Sequence, residues 1–259
     1  MYESLIRLLA AIGRAAAKLP FPITGLTAAL LAGLMLARPK KLWKPLLALA
    51  LSLAVLWLPL YANKPYAVSR TAADETISTF IESLAHALEP AEALSHEEIL
   101  QTAQTLSGGG VHLKYMRFPE LMRSLRMAGF YSPLTGEALL SEAEPEWFLP
   151  FVACHELAHA NGLANEGQAN LRAYALCMAA DSPAFRNSAR LYAMRIAFSM
   201  LDPTAAQATR SQLPEAVQRF LSGAEPRSAR RAGSLLSVIP GRYEDLIYGL
   251  LFNSSNPEA

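Results

Sequence analysis

Two histidines four residues apart, with a glutamate directly after the first, form the strongest chemical pattern in this 259-residue sequence. The stretch is FVACHELAHANGLANEGQAN, in which the three residues are His155, Glu156 and His159. Pro150 suits the start of a helix and Gly162 suits its end, so all three fall within one predicted helix. Histidines at i and i+4 share a helix face, so both imidazoles can reach one Zn²⁺. Glu156 then lies beside the ion as the candidate base for its bound water.

A hydrolytic zinc site needs a third protein ligand and an open position for water. Glu166 is the first candidate downstream, at the start of a second predicted helix after a short turn. In an antiparallel helical hairpin, it comes to about the same level as His159. Asn170 follows Glu166 by four residues on the same face, where its amide can orient a ligating imidazole. The sequence thus predicts that this hairpin carries three metal ligands, a base and a supporting amide.

Two other interpretations of these residues are a helix without metal and a structural zinc site. Histidines on a helix also form local hydrogen bonds, and His86, His96 and His112 stand alone as surface or capping residues. The rival function is a non-catalytic membrane sensor or scaffold with structural zinc. Structural zinc sites are usually closed by four Cys or His ligands, whereas this pattern has three ligands and an adjacent acid. The pattern favours an enzyme.

The motif carries a family resemblance. HELAHANGLANEGQAN resembles the gluzincin metallopeptidases, whose H-E-x-x-H is completed by a glutamate on a following helix, usually within E-x-x-A-D; here Asn170 replaces that final Asp. Residues 129–177 are also similar to a bacterial family of membrane proteins of unknown function, with N-terminal transmembrane helices and a gluzincin-like domain. The resemblance implies that His155, His159 and Glu166 bind zinc and that Glu156 is the catalytic base. The resemblance also implies hydrolysis of a peptide or protein, but it does not identify which one.

The N-terminal part of the chain predicts a membrane anchor. Between Lys18 and Arg38, and again between Lys44 and Lys64, there are 19 residues without a charge. At about 1.5 Å per residue each stretch spans roughly 28 Å, close to the hydrocarbon thickness of a bilayer. Residues 19–64 therefore predict two transmembrane helices joined by a basic loop. Paired core helices and a cleaved signal peptide fit this pattern less well.

The orientation of the anchor follows from its charges. The loop RPKKLWK has four basic residues and no acid, so the positive-inside tendency places it in the cytoplasm and the following domain outside, at a bacterial inner membrane. Residues 1–18 predict an amphipathic helix lying in the membrane surface. An intramembrane peptidase fits less well, because the metal motif lies far beyond the second span in polar sequence.

Residues 69–259 predict one α-rich, zincin-like domain with little β structure. Helix signals occur near residues 71–88, at the capping box SHEE from Ser95, from Pro119 to Gly129, from Pro183, and over residues 213–222 and 242–252. Residues 130–141 predict an extended segment, which is either a loop or an exposed strand that pairs with substrate. The net charge of +1 does not indicate a nucleic-acid-binding protein.

Three further residues leave alternatives open. Cys154 and Cys177 fall on the two arms of the predicted hairpin, where they are either buried free thiols or a disulfide. Tyr243 is a weak candidate for an oxyanion donor, since a tyrosine on an amphipathic helix more often serves packing. The site assignment therefore excludes it.

Overall fold

A computed structural model describes residues 72–109, 111–116, 128–132, 135–142, 144–163, 166–223 and 244–252 of the chain. The helices in these ranges are α1 Asp74–His86, α2 His96–Leu106, α3 Leu149–Ala160, α4 Glu166–Met178, α5 Pro183–Met200, α6 Pro203–Gln212, α7 Glu215–Gly223 and α8 Glu244–Phe252. The strands are β1 Leu113–Tyr115, β2 Gly129–Ser132 and β3 Glu137–Leu140. The prediction of a mainly helical domain with little β structure is confirmed.

The membrane anchor falls outside this part of the chain. Residues 1–71, which include the predicted surface helix and both predicted spans, are not among the described residues. None of the described helices is long and apolar enough to cross a bilayer. The two transmembrane helices stay predictions.

Local sequence signals account for several helix boundaries. The Ser95 hydroxyl accepts the backbone N–H of Glu98, and the Glu98 carboxylate accepts the N–H of Ser95 at 2.7 Å, so the predicted capping box is present. α5 begins at Pro183, as predicted, where the fixed φ of proline suits the first helical turn. These reciprocal bonds and proline starts satisfy or remove backbone donors that the first turn of a helix leaves unpaired.

The extended segment is a β-hairpin that belongs to a small mixed sheet. The strand order is β1-β3-β2, with β3 parallel to β1 and antiparallel to β2. Gly136 turns the hairpin with a φ of 65°, in the left-handed region that favours glycine. Gly129 is the first residue of β2, and the predicted helix that begins at Pro119 and stops at Gly129 falls on residues 117–127, which lie outside the described ranges.

Two hydrophobic cores hold the helices. The first surrounds α3, which is buried along almost its whole length against α2, the sheet, α4 and α5. The second joins α1, α5, α6 and α8. Tyr174 on α4 packs against both cores. The α3–α4 hairpin is therefore held from two sides, which gives any site built on it rigid support.

Candidate metal centre

Three predicted ligands meet at one end of the α3–α4 hairpin. One candidate ligand atom from each of His155, His159 and Glu166 lies within 4.8 Å of the other two. His155 Nε2 lies 3.0 Å from His159 Nε2 and 3.1 Å from a carboxylate oxygen of Glu166. His159 Nε2 lies 3.5 Å from the other oxygen of Glu166. The structure thus brings together the three residues that the sequence predicted as ligands.

These separations fit a tetrahedral zinc ion. With ligand bonds of about 2.0–2.1 Å, two ligand atoms on a tetrahedral centre are roughly 3.3–3.4 Å apart. The two Nε2 atoms are 3.0 Å apart, and each lies near this separation from one of the two Glu166 oxygens, at 3.1 Å for His155 and 3.5 Å for His159. Two imidazole nitrogens and one carboxylate oxygen are also the donor set of known hydrolytic zinc sites. The residues present therefore suit Zn²⁺.

The turn that ends α3 orients one of the two imidazoles. Gly162 has a φ of 101°, and the N–H groups of Gly162 and Leu163 bond back to the carbonyls of His159 and Ala158. This pair of bonds is a Schellman motif, which glycine favours because it has no Cβ. The turn brings the carbonyl oxygen of Leu163 to 2.6 Å from Nδ1 of His159. Nδ1 therefore donates to Leu163, and Nε2 is left to face the ligand cluster.

The other imidazole has no such partner. Nδ1 of His155 is buried without a hydrogen bond. The side-chain nitrogen and oxygen of Asn170 are also buried without one. Asn170 is completely buried on α4, one turn beyond Glu166. Buried polar atoms without partners are uncommon in folded proteins, and they often indicate a functional role or a bound ion. The prediction that Asn170 orients a ligating imidazole stays a prediction.

Glu156 lies next to the ligands without belonging to their cluster. Its side chain is buried, and its carboxylate accepts the backbone N–H of Tyr131 in β2. Burial raises the pKa of Glu156 to about 7, although the nearby charges of His155 and His159 oppose the rise. This value belongs to the metal-free site, and a cation held by the ligands lowers it. A carboxyl group with such a pKa can exchange protons near neutral pH.

The ligand residues are coupled electrostatically. Burial alone lowers the pKa of His159, but the carboxylates of Glu166 and Glu156 and the Leu163 carbonyl outweigh burial and raise it to about 9. Burial raises the pKa of Glu166, but both imidazoles outweigh that effect and hold it well below its usual range. Without metal, Glu166 is therefore an anion that holds a proton on His159. Zinc binding must release that proton.

Strand β2 contributes to the site in a way that the sequence did not indicate. A Cβ added at Gly129 would lie 2.5 Å from Oε1 of Glu156 and 2.8 Å from a methyl group of Val152, so only glycine fits. The N–H of Ser141 bonds to the carbonyl of Ala128, and bonds to β3 recur at every second residue of β2. The backbone groups of Gly129 and Tyr131 therefore face away from β3, toward Glu156.

The remaining candidates lie apart from this cluster. His86, His96 and His112 are exposed, and the His96 ring contacts the Tyr115 ring in a tilted arrangement. Cys154 and Cys177 are buried free thiols; Cys177 donates to the carbonyl of Pro150 at 3.8 Å. Burial and the neighbouring Cys154 raise the pKa of Cys177 well above its usual value, which makes it a poor nucleophile. Tyr243 lies outside the described residues.

Comparison with known proteins identifies a family. The family described as "Protein of unknown function (DUF3810)" matches residues 61–228, well over half of the chain. The chain belongs to the DUF3810 family. The match includes the complete metal cluster, Glu156 and β2, so the whole candidate site lies within the DUF3810 region. No curated protein and no solved structure matches the chain.

Proposed function

We propose that this protein is a membrane-anchored, zinc-dependent metallopeptidase. The observation that carries the proposal is the convergence of His155, His159 and Glu166 beside a buried glutamate that is not itself in the cluster. A structural zinc site has no use for an adjacent proton acceptor, whereas hydrolysis requires one. The gluzincin-like spacing of the same residues supports the proposal independently of their geometry.

The proposed division of labour follows from the positions of the side chains. His155, His159 and Glu166 hold the ion, which when bound supplies a polarised water and a Lewis acid for the scissile carbonyl. Glu156 accepts a proton from the attacking water and delivers it to the leaving amine. The N–H of Tyr131 stabilises the ionised form of Glu156, which exists before the first transfer and after the second. Among the described residues, we assign no oxyanion donor.

A peptide or protein is the proposed substrate. β2 is an edge of the sheet within the described part of the chain, and the backbone groups of Gly129 and Tyr131 face away from its partner β3. An extended peptide can add to such an edge through backbone hydrogen bonds. The carbonyl group of Gly129 supplies an acceptor beside Glu156, which supports the strand interpretation of residues 130–141 over a plain loop.

We further propose that residues 19–64 anchor the domain in a bacterial inner membrane, with residues 69–259 on the extracytoplasmic side. The support is the pair of charge-free stretches and the basic loop between them. The site would then lie near the lipid bilayer and act on substrates at or outside that membrane.

The second candidate function is a sensor or scaffold with structural zinc. Glu156→Gln separates it from the peptidase, because the amide is nearly isosteric with the carboxyl group but cannot accept the proton of water. We expect the variant to keep its zinc and thermal stability while cleavage of a peptide-library substrate falls by about 10²- to 10⁴-fold. Glu146→Gln, a change immediately before α3 and outside the cluster, is the control. Unchanged cleavage with unchanged zinc would favour the scaffold.

A further inference from the structure

Strand β2 and Glu156 approach each other more closely than ordinary packing requires. The space that a Cβ of residue 129 would occupy is filled by the carboxyl end of Glu156, whose Oε1 and Cγ lie 2.5 and 2.6 Å from that point. The same carboxylate accepts the N–H of Tyr131, two residues further along the strand. A glycine and an N–H at this spacing give the carboxylate both room and a donor.

The donor is available because of the register of the hairpin. Phe130 is opposite Leu139 in a pair that exchanges hydrogen bonds, whereas Tyr131 is opposite Ala138 in a pair that does not. The N–H of Tyr131 thus points away from the sheet, where it would otherwise bond to water or to another chain. A register shifted by one residue would turn this N–H into the sheet.

We propose that β2 is the positioning element for Glu156: Gly129 leaves the space, and the N–H of Tyr131 fixes the carboxylate, so that the base is held beside the three ligands. The catalytic consequence rests on the proposed peptidase function, whereas the positioning itself does not. Gly129 and Tyr131 are positioning residues, because they act through Glu156. A further consequence is that an incoming peptide cannot use the N–H of Tyr131 while Glu156 holds it.

Amide hydrogen exchange of the full-length, zinc-loaded chain, measured residue by residue by NMR, tests the contact without any assay of activity. We expect the Tyr131 N–H to be protected in the wild type and in Glu156→Gln, whose amide oxygen can still accept it. In Glu156→Ala it should exchange at least ~10-fold faster, while the N–H of Phe130, bonded to β3, stays protected. Unchanged exchange of Tyr131 in Glu156→Ala would overturn the proposal.

Gly129→Ala tests the space from the opposite side. We expect it to displace the carboxylate, to release the Tyr131 N–H with Phe130 still protected, and to retain zinc. Gly249→Ala, in α8, is the matched control, because its Cβ would crowd Leu171 at a similar distance, 2.6 Å, but in the second core. If Gly129→Ala accelerated amide exchange equally at Phe130 and Tyr131, the glycine would be needed for the strand pairing rather than for the position of Glu156, and the proposal would fail.

Cleavage of a fluorogenic peptide chosen from a mixed library tests the catalytic consequence. In the otherwise wild-type protein, Gly129→Ala should lower kcat by about 10²-fold, because it displaces the carboxylate of Glu156. In the Glu156→Gln background it should cause no further loss. The same loss in both backgrounds would show that Gly129 acts independently of Glu156. If the wild type cleaves no peptide, the proposed function fails, while the exchange experiment still decides whether β2 positions Glu156.

Discussion

Nδ1 of His159 lies 2.6 Å from the carbonyl oxygen of Leu163, a residue just beyond the turn that ends α3. The helix that carries this candidate ligand thus orients it through its own C-terminal turn. The imidazole is fixed by a bond that needs no second element, and its Nε2 faces His155 and Glu166 before any ion arrives. Such preorganisation reduces the ordering that accompanies metal binding.

Replacement of Gly162 should weaken both the turn and the metal site. At a φ of 101° an alanine is strained, and since its Cβ would meet nothing within 4 Å, the cost comes from the backbone alone. We expect Gly162→Ala to lower the free energy of unfolding by about 1–2 kcal/mol and to weaken zinc binding. Thermal denaturation and zinc titration measure the two effects. Gly162→Asn, which tolerates this conformation better, should lose less; equal losses would contradict the explanation.

The purified protein should contain about one zinc per chain. His155→Ala, His159→Ala and Glu166→Ala should each reduce zinc occupancy, because each removes one of the three converging ligands. Elemental analysis after dialysis against a weak chelator measures the occupancy. His86→Ala, at an exposed histidine, is the matched control and should keep its zinc. Full zinc retention in all three ligand variants would disprove the site.

Asn170 should affect metal affinity without binding the metal. If its amide oxygen accepts Nδ1–H of His155 in the loaded protein, Asn170→Ala should weaken zinc binding by about 10- to 100-fold. Asn170→Asp should bind at least as tightly as the wild type, because a carboxylate is the stronger acceptor. Competition with a zinc-sensitive dye measures the constants. Equal affinities in all three proteins would leave the buried amide without a role at the metal.

The ion pairs around Glu89 predict loss of stability in acid. Glu89 lies in the connection between α1 and α2, and the guanidinium groups of Arg186 and Arg190 lower its pKa from 4.5 to about 2. Because the folded pKa is depressed, the contribution to stability is complete above pH 4.5 and is lost as the pH falls toward 2.

We therefore expect Glu89→Gln to remove part of the decrease in Tm between about pH 5 and about pH 3. A chelator present throughout keeps metal release from contributing. Glu92→Gln, at an exposed glutamate in the same connection, is the control and should behave as the wild type does. A wild-type pH profile in Glu89→Gln would contradict the assignment.

Reporter fusions should reveal the membrane topology. A reporter fused after Lys41 should behave as cytoplasmic, and one fused after Ala259 as extracytoplasmic, because the basic loop between the predicted spans favours the cytoplasm. Paired enzymatic reporters that are active on opposite sides of the membrane provide the measurement. The reversed pattern would place the metal centre in the cytoplasm.

The parts of the site that depend on one element or on a short connection were predictable from sequence. The shared face of His155 and His159 follows from the period of the helix, and the level of Glu166 follows from the short turn between α3 and α4. Helix starts at Ser95 and Pro183 follow from local bonding rules. In each case the interacting groups are a few residues apart along the chain.

The contribution of β2 was not predictable, because it depends on groups far apart in sequence. A glycine after Met127 and Ala128 looks like the end of a helix, and nothing local shows that Glu156 fills the space beside it. The hydrogen bond from Tyr131 uses the backbone, so the residue type carries no signal. Only the register of β2 on β3 determines which N–H faces the glutamate.

The packing of α8 links the assembly of the candidate metal centre to the order of synthesis. α8 lies against α4 and α5, and Gly249 approaches Leu171, the neighbour of Asn170, so closely that a Cβ would lie 2.6 Å from a Leu171 methyl group. When the ligands have left the ribosome, more than 70 further residues must follow before Gly249 emerges. A nascent chain thus lacks one supporting side of the α3–α4 hairpin until α8 has been synthesised.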